Sequence, residues 1–250
     1  MDSSKVGLLT TLVLGIFILI GALIGFVVNK KEKVVDFSIG LAFGVIVMLI
    51  GVDLLPEIIE HLGFRYIHMF IIGTVIGFIL LRFLDMYIPD HEEQTRSKKD
   101  VQNNLIHIGV ITSMALILHN IIEGMAIYST IVTNTSLGVT LMIGIGFHNI
   151  PLGMVVSSAF HQSNQNIYKT SLIIIVLALS TFVGGLIMFF FNITAISSVV
   201  LGTLLSVTLG MLIFIVYEEL YERIKHSKNK KISYIGVFIG LLILVISTLI

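Results

Sequence analysis

The sequence predicts an all-α, polytopic membrane protein built as a bundle of eight transmembrane helices. Three observations predict it. Of the 250 residues, 56% are hydrophobic and only 12% are charged, about half the charged share of a typical water-facing domain. Apolar runs long enough to cross a hydrocarbon core of about 30 Å recur along the chain. Basic residues fall almost wholly in alternate connections between those runs.

The runs cover residues 7–28, 36–58, 66–85, 105–130, 138–160, 168–192, 197–222 and 232–250. Each is continuous and not alternating, which favours helices over barrel strands. The mean hydropathy is +1.04. Residues 1–250 read as one transmembrane domain. The first run is too long for the apolar core of a signal peptide and lacks a small-x-small cleavage site, so it reads as a retained helix. Asn29-Lys30-Lys31-Glu32-Lys33 ends it. The longest polar stretch lies in a loop at 86–104 and holds His91, Glu92, Glu93, Arg96, Lys98 and Lys99. His91, Glu92 and Glu93 read first as a solvated cluster.

Numbering the connections one to seven orients the chain. The odd ones and their flanks hold Lys30, Lys31, Lys33, Arg82, Arg96, Lys98, Lys99, Lys169, Arg223, Lys225, Lys228, Lys230 and Lys231; the even side holds only Lys5 and Arg65. Odd connections, including 86–104, are therefore expected in the cytoplasm. Both termini are expected outside a multi-pass cell-membrane protein. There is no cysteine, which excludes disulfides and thiolate metal sites. The net charge of zero gives no pull toward nucleic acid; the expected surroundings are the lipid bilayer.

Ionisable groups inside an apolar span are costly, and usually have a functional or pairing reason to be there. Span four reads His119-Asn120-Ile121-Ile122-Glu123-Gly124-Met125, and span five reads His148-Asn149-Ile150-Pro151-Leu152-Gly153-Met154. The two heptapeptides share His, Asn, Ile, Gly and Met in register. His119 and Glu123 are one helical turn apart on one face. An imidazole and a carboxylate so placed can hold one divalent ion at about 2.0–2.2 Å. An antiparallel span five can add His148 and Asn149, with Asn120 orienting a ligand. Pro151 removes a backbone N–H and frees the carbonyl of Phe147. Gly124 and Gly153 permit close helix approach. A buried hydrogen-bonded pair would account for one such motif; the repeat favours a ligand set. Imidazole with carboxylate suits zinc, and also iron, manganese, cobalt or nickel.

Two carboxylate pairs flank this centre. Asp53 and Glu57 end span two, and Glu218 and Glu219 lie late in span seven. They read as pathway groups at opposite mouths, or as boundary carboxylates. His61, His68, His107, His161 and His226 read as interfacial.

With these residues in place, the chain resembles the ZIP family of zinc and iron transporters. The His-Asn-x-x-acid-Gly pattern at His119–Gly124 and the Leu54-Leu55-Pro56-Glu57 ending carry the resemblance. It implies divalent metal ions, zinc first, as substrate, with no prosthetic group. It also implies an ion site between spans four and five, often two sites bridged by carboxylates. The chain departs from that pattern at Leu152, where a Glu is usual, and in Ser180–Gly185, where Gly184 replaces another. Two neighbouring divalent ions need anions between them. The expectation is therefore one ion at His119, Glu123 and His148, with Asn120 and Asn149 secondary. No P-loop is present, so ATP drive within the chain is not expected. A membrane-embedded metal-dependent hydrolase is the alternative, and a polar packing seam a third; a homodimer is left open.

Overall fold

The computed structural model describes residues 2–27, 32–87, 98–163 and 165–248. Lys30, Lys31, His91, Glu92, Glu93 and Arg96 lie outside the described residues. Among the described ones every regular element is helical, as expected where each backbone N–H and C=O must be satisfied without water.

Among the described residues, seven helical segments are long and apolar enough to cross a membrane: α1 Ser3–Val27, α2 Lys33–Leu62, α3 Phe64–Asp85, α4 Leu105–Thr133, α5 Thr135–Gln162, α6 Ile167–Phe190 and α7 Ser198–His226. An eighth helix, α8 Lys230–Thr248, lies along α2. The helical backbone leading into α4 already begins at Lys98. The polar end of the expected 86–104 loop is therefore helix.

The connections on either side of α5 are short, and asparagine side chains close helix ends there. Asn134 alone separates α4 from α5, and its side-chain oxygen accepts from the Leu137 N–H at 3.2 Å. Asn166 caps α6 through the Tyr168 N–H at 2.9 Å. Gly63, at φ 55°, takes a left-handed backbone that turns the chain from α2 into α3.

Lipid tails are as apolar as leucine, so helices in a membrane associate through close packing. The glycines show where. Gly21 faces the backbone of Ile150 and Gly153 that of Ile18, clasping α1 to α5. Gly124 faces Thr181 and Gly184 faces Ile121, clasping α4 to α6. Gly44 and Gly240 join α2 to α8, and Gly77 and Gly210 join α3 to α7, in the same way. Two groups result: α1, α4, α5 and α6 pack together, and α2, α3, α7 and α8 pack together. A thinner seam runs between them, crossed mainly by α2 and α8 against α5 and by α7 against α4.

A Cβ at position 184 would run into the Ile121 carbonyl. Gly184→Ala is expected to cost about 1–3 kcal/mol through overpacking, read as a lowered melting temperature in detergent. Gly144→Ala, whose Cβ would meet nothing within 4 Å, should leave it almost unchanged.

Candidate metal site

The α4–α5 hairpin sets the height of the site. His119 lies fifteen residues before Asn134 and His148 fourteen after it. At about 1.5 Å per residue, a hairpin with a one-residue turn brings both to the same level, about 21–22 Å from the turn. The two rings face each other with centroids 6.5 Å apart.

Glu123 lies between them. Its Oε1 is 2.9 Å from His148 Nε2 and 3.7 Å from His119 Nε2. Its Oε2 accepts from Asn149 Nδ2 at 3.3 Å. Asn120 Nδ2 donates to the Leu177 carbonyl of α6 at 3.4 Å, which turns its amide along the helix crossing. His119, Asn120, Glu123, His148 and Asn149 are all buried, and Asn149 is fully inaccessible.

Several atoms of this cluster have no hydrogen-bond partner among the described residues: both ring nitrogens of His119, Asn120 Oδ1 and Asn149 Oδ1. Buried polar groups in native proteins are nearly always satisfied. The orphaned atoms are acceptors, or can be, and they surround a carboxylate. That donor chemistry fits a cation.

Asp53 is the residue that the linear sequence misplaced. It reads as a mouth carboxylate, but one of its oxygens lies with a ring nitrogen of His119 and one of His148, all within 4.8 Å of one another. The cause is a π turn at Leu49–Leu54, where the Leu55 N–H bonds back to the Ile50 carbonyl. The wider turn shifts the phase of α2 and aims Asp53 inward. Pro56 supplies the available signal: without an N–H it cannot bond Val52, so the helix before it is free to widen. Glu57, one turn further, stays half-buried, with Oε1 4.0 Å from His61 Nε2.

The second carboxylate pair also sits in a π turn, Ile215–Tyr221, and no proline announces this one. Glu219 Oε2 is 3.3 Å from His107 Nδ1, and Asp85 Oδ1 is 3.0 Å from His107 Nε2. His107 is therefore not an interfacial group: it is 6% exposed and held between two carboxylates. Glu218 is half-buried beside it in sequence, outside this cluster. Leu152 is buried among apolar neighbours.

A polytopic helical bundle with a buried His-Asn-carboxylate cluster at a helix seam has the form of an ion carrier. Residues 87–248 match the family described as ZIP zinc transporter. The chain belongs to that family. It is 26% identical to a zinc transporter ZupT of Enterobacter sp. strain 638, over 97% of this chain and 96% of that one. It is 25% identical to a zinc transporter ZupT of Streptococcus mutans, over 92% and 91%. The corresponding protein of Akkermansia muciniphila is 27% identical over 96% and 94%.

The orphaned nitrogens separate a ligand from a packing role. With metal chelated, His119→Leu should change thermal stability by no more than about 1 kcal/mol, because no hydrogen bond is lost. Asn149→Leu should cost about 1–3 kcal/mol, because Glu123 Oε2 loses its donor inside the bundle. A large loss in His119→Leu under chelation would show that the ring is structural.

Proposed function

We propose that this chain carries divalent metal ions across the membrane into the cytoplasm, with zinc the first candidate and iron or manganese compatible with the same ligands. The observation that carries the reading is His119, buried beside Glu123 and His148 with neither ring nitrogen hydrogen-bonded among the described residues. The names of the relatives support the substrate class.

The site suits one ion at a time. Asp53, His119 and His148 present ligand atoms within 4.8 Å of one another, and Glu123 stands beside both imidazoles, donors of the kind tetrahedral zinc takes. Two carboxylates neutralise one divalent charge and leave nothing for a second ion nearby. At the two positions where the family carries further acids this chain has none. Leu152 is buried in the core, and a Cβ at 184 would meet backbone. Asn120 and Asn149 orient the ligands.

The ligands come from both helix groups, and this suits alternating access. His119, Glu123 and His148 belong to the α1–α4–α5–α6 group, and Asp53 to the other. An ion entering from outside passes Glu57 and binds between the groups. Movement of one group against the other withdraws Asp53, leaves three ligands and loosens the ion for release toward Glu219. The basic residues of the odd connections make that side cytoplasmic.

Zinc uptake into vesicles reconstituted with purified protein tests the reading. His119→Ala and Glu123→Ala should each lower the initial rate at least tenfold, and Asp53→Asn should raise the half-saturating zinc concentration. Wild-type rates in both alanine variants would overturn it.

A further inference from the structure

Where α5 passes α2 and α8, side chains do not fill the seam between the helix groups. A cavity of about 290 Å³ lies there, near the lower end of the range that takes a small organic ligand, about 300–1,000 Å³. Val34, Phe37 and Leu41 of α2, Ile239 and Ile243 of α8 and Met154 of α5 line it. Ser38 and Ser158 add two hydroxyls to its wall, and both are engaged. Ser38 Oγ accepts from Gln162 Nε2 at 2.9 Å, and Ser158 Oγ donates to the Val155 carbonyl at 3.0 Å. Water therefore finds little to bond in this cavity. Phe238 and Leu242, next in sequence to the two α8 residues, are exposed, so the cavity is a groove on the lipid-facing flank of the bundle.

The two helices that form most of the groove run side by side in one direction. Gly40 meets the backbone of Ser233 and Gly44 that of Val237, while Gly236 meets that of Phe37 and Gly240 that of Leu41. Lys33 and Lys231 therefore stand within about one turn of the same level, at the end that the basic residues assign to the cytoplasm. Both are exposed. Lys33 lies one turn from Phe37 on the same helix face. Ile243 is twelve residues beyond Lys231, about 18 Å along the helix, where half of the hydrocarbon core is about 15 Å. The groove is thus as deep as one leaflet, with a basic pair at its headgroup end. Asp36, the acid one turn from Lys33, is buried and accepts from Asn229 Nδ2 at 2.8 Å, so it does not stand with the lysines at the surface.

We propose that this groove binds an anionic phospholipid of the cytoplasmic leaflet, with one acyl chain along Phe37, Leu41, Ile239 and Ile243 and the headgroup phosphate at Lys33 and Lys231. Lysines beside the membrane attract anionic lipid, and basic pockets between transmembrane helices on the cytoplasmic side take anionic headgroups. An acyl chain supplies the close contacts that the groove's own side chains leave unmade. The two parts of the site do different things: the apolar walls hold a chain, and the lysines select the charge of its headgroup. The chain lies against both helix groups, with Met154 on one side and the α2 and α8 residues on the other. The site shares no residue with the cluster of His119, Glu123, His148 and Asp53, and it is independent of the ion reading.

The chain has no tryptophan, so a single introduced indole reports its lipid neighbours without background. Phe37→Trp places it in the groove. Ile79→Trp places it on the exposed face of α3, one turn from Arg82, at the same end of the bundle beside a basic residue but away from the groove. Each variant is reconstituted in phosphatidylcholine vesicles holding a rising fraction of phosphatidylglycerol with brominated acyl chains, which quench indole fluorescence on contact. Phe37→Trp should reach half of its quenching at a fraction at least fivefold lower than Ile79→Trp. Brominated phosphatidylcholine should give the two variants matching curves. Adding Lys33→Gln with Lys231→Gln should return the groove reporter to the Ile79→Trp curve, and both lysines are exposed, so the fold should tolerate the change. Ile239→Trp serves as the groove reporter if Phe37→Trp does not fold. Matching phosphatidylglycerol curves for groove and control would overturn the site. A groove preference that survives the double glutamine change, or that brominated phosphatidylcholine shows equally, would overturn it too, since the headgroup would then not be recognised.

Discussion

The structure depends on the difficulty of keeping His119, Glu123, His148 and Asp53 in an apolar interior. An isolated ionised group there is strongly unfavourable. Here the groups converge, so each carboxylate meets an imidazole and each imidazole has an acid nearby. The one-residue turn at Asn134 fixes the level at which His119 and His148 meet. The glycine contacts of α4 with α6 and of α5 with α1 hold the two motif helices from behind. Those contacts need small residues on the outer faces, which leaves the inner faces for the polar groups. Even so, His119 lacks any hydrogen bond. A fully satisfied seam would be a better packing device, and the missing partner is what makes a cation the natural complement.

The position of the cluster matters as much as its chemistry. It lies where the two helix groups meet, and Asp53 reaches it from the far side. A ligand shifts a conformational equilibrium only by its differential affinity for the two states. In the proposed function, an ion held by ligands from both groups has that differential affinity built in, because separating the groups would remove Asp53 and not the others. Lower down, Gln162 and His107 of one group also meet Ser38, Asp85 and Glu219 of the other.

Much of this was legible in the sequence, for physical reasons that can be named. The spans followed from length and hydropathy. The pairing of His119 with His148 followed from matched motifs flanking a short uncharged turn. Glu123 followed from its i+4 spacing to His119. What was hidden arose from phase and from distance in the chain. Asp53 reads as a mouth residue from its place at the end of span two; the π turn before Pro56 re-aims it. His107 looked interfacial because it sits near a span end with no acid beside it in sequence; its partners come from α3 and α7. Gly184 read as a lost carboxylate, and the contact with Ile121 adds the reason no side chain fits there.

The proposed function requires one ion held by ligands from both helix groups. X-ray absorption at the zinc edge, on zinc-loaded protein in detergent, tests it most directly. The account predicts one zinc per chain with two imidazole nitrogens and two carboxylate oxygens at about 2.0–2.2 Å, and loss of one oxygen in Asp53→Ala. A zinc–zinc vector at about 3.5–4 Å, or an unchanged shell in Asp53→Ala, would contradict it.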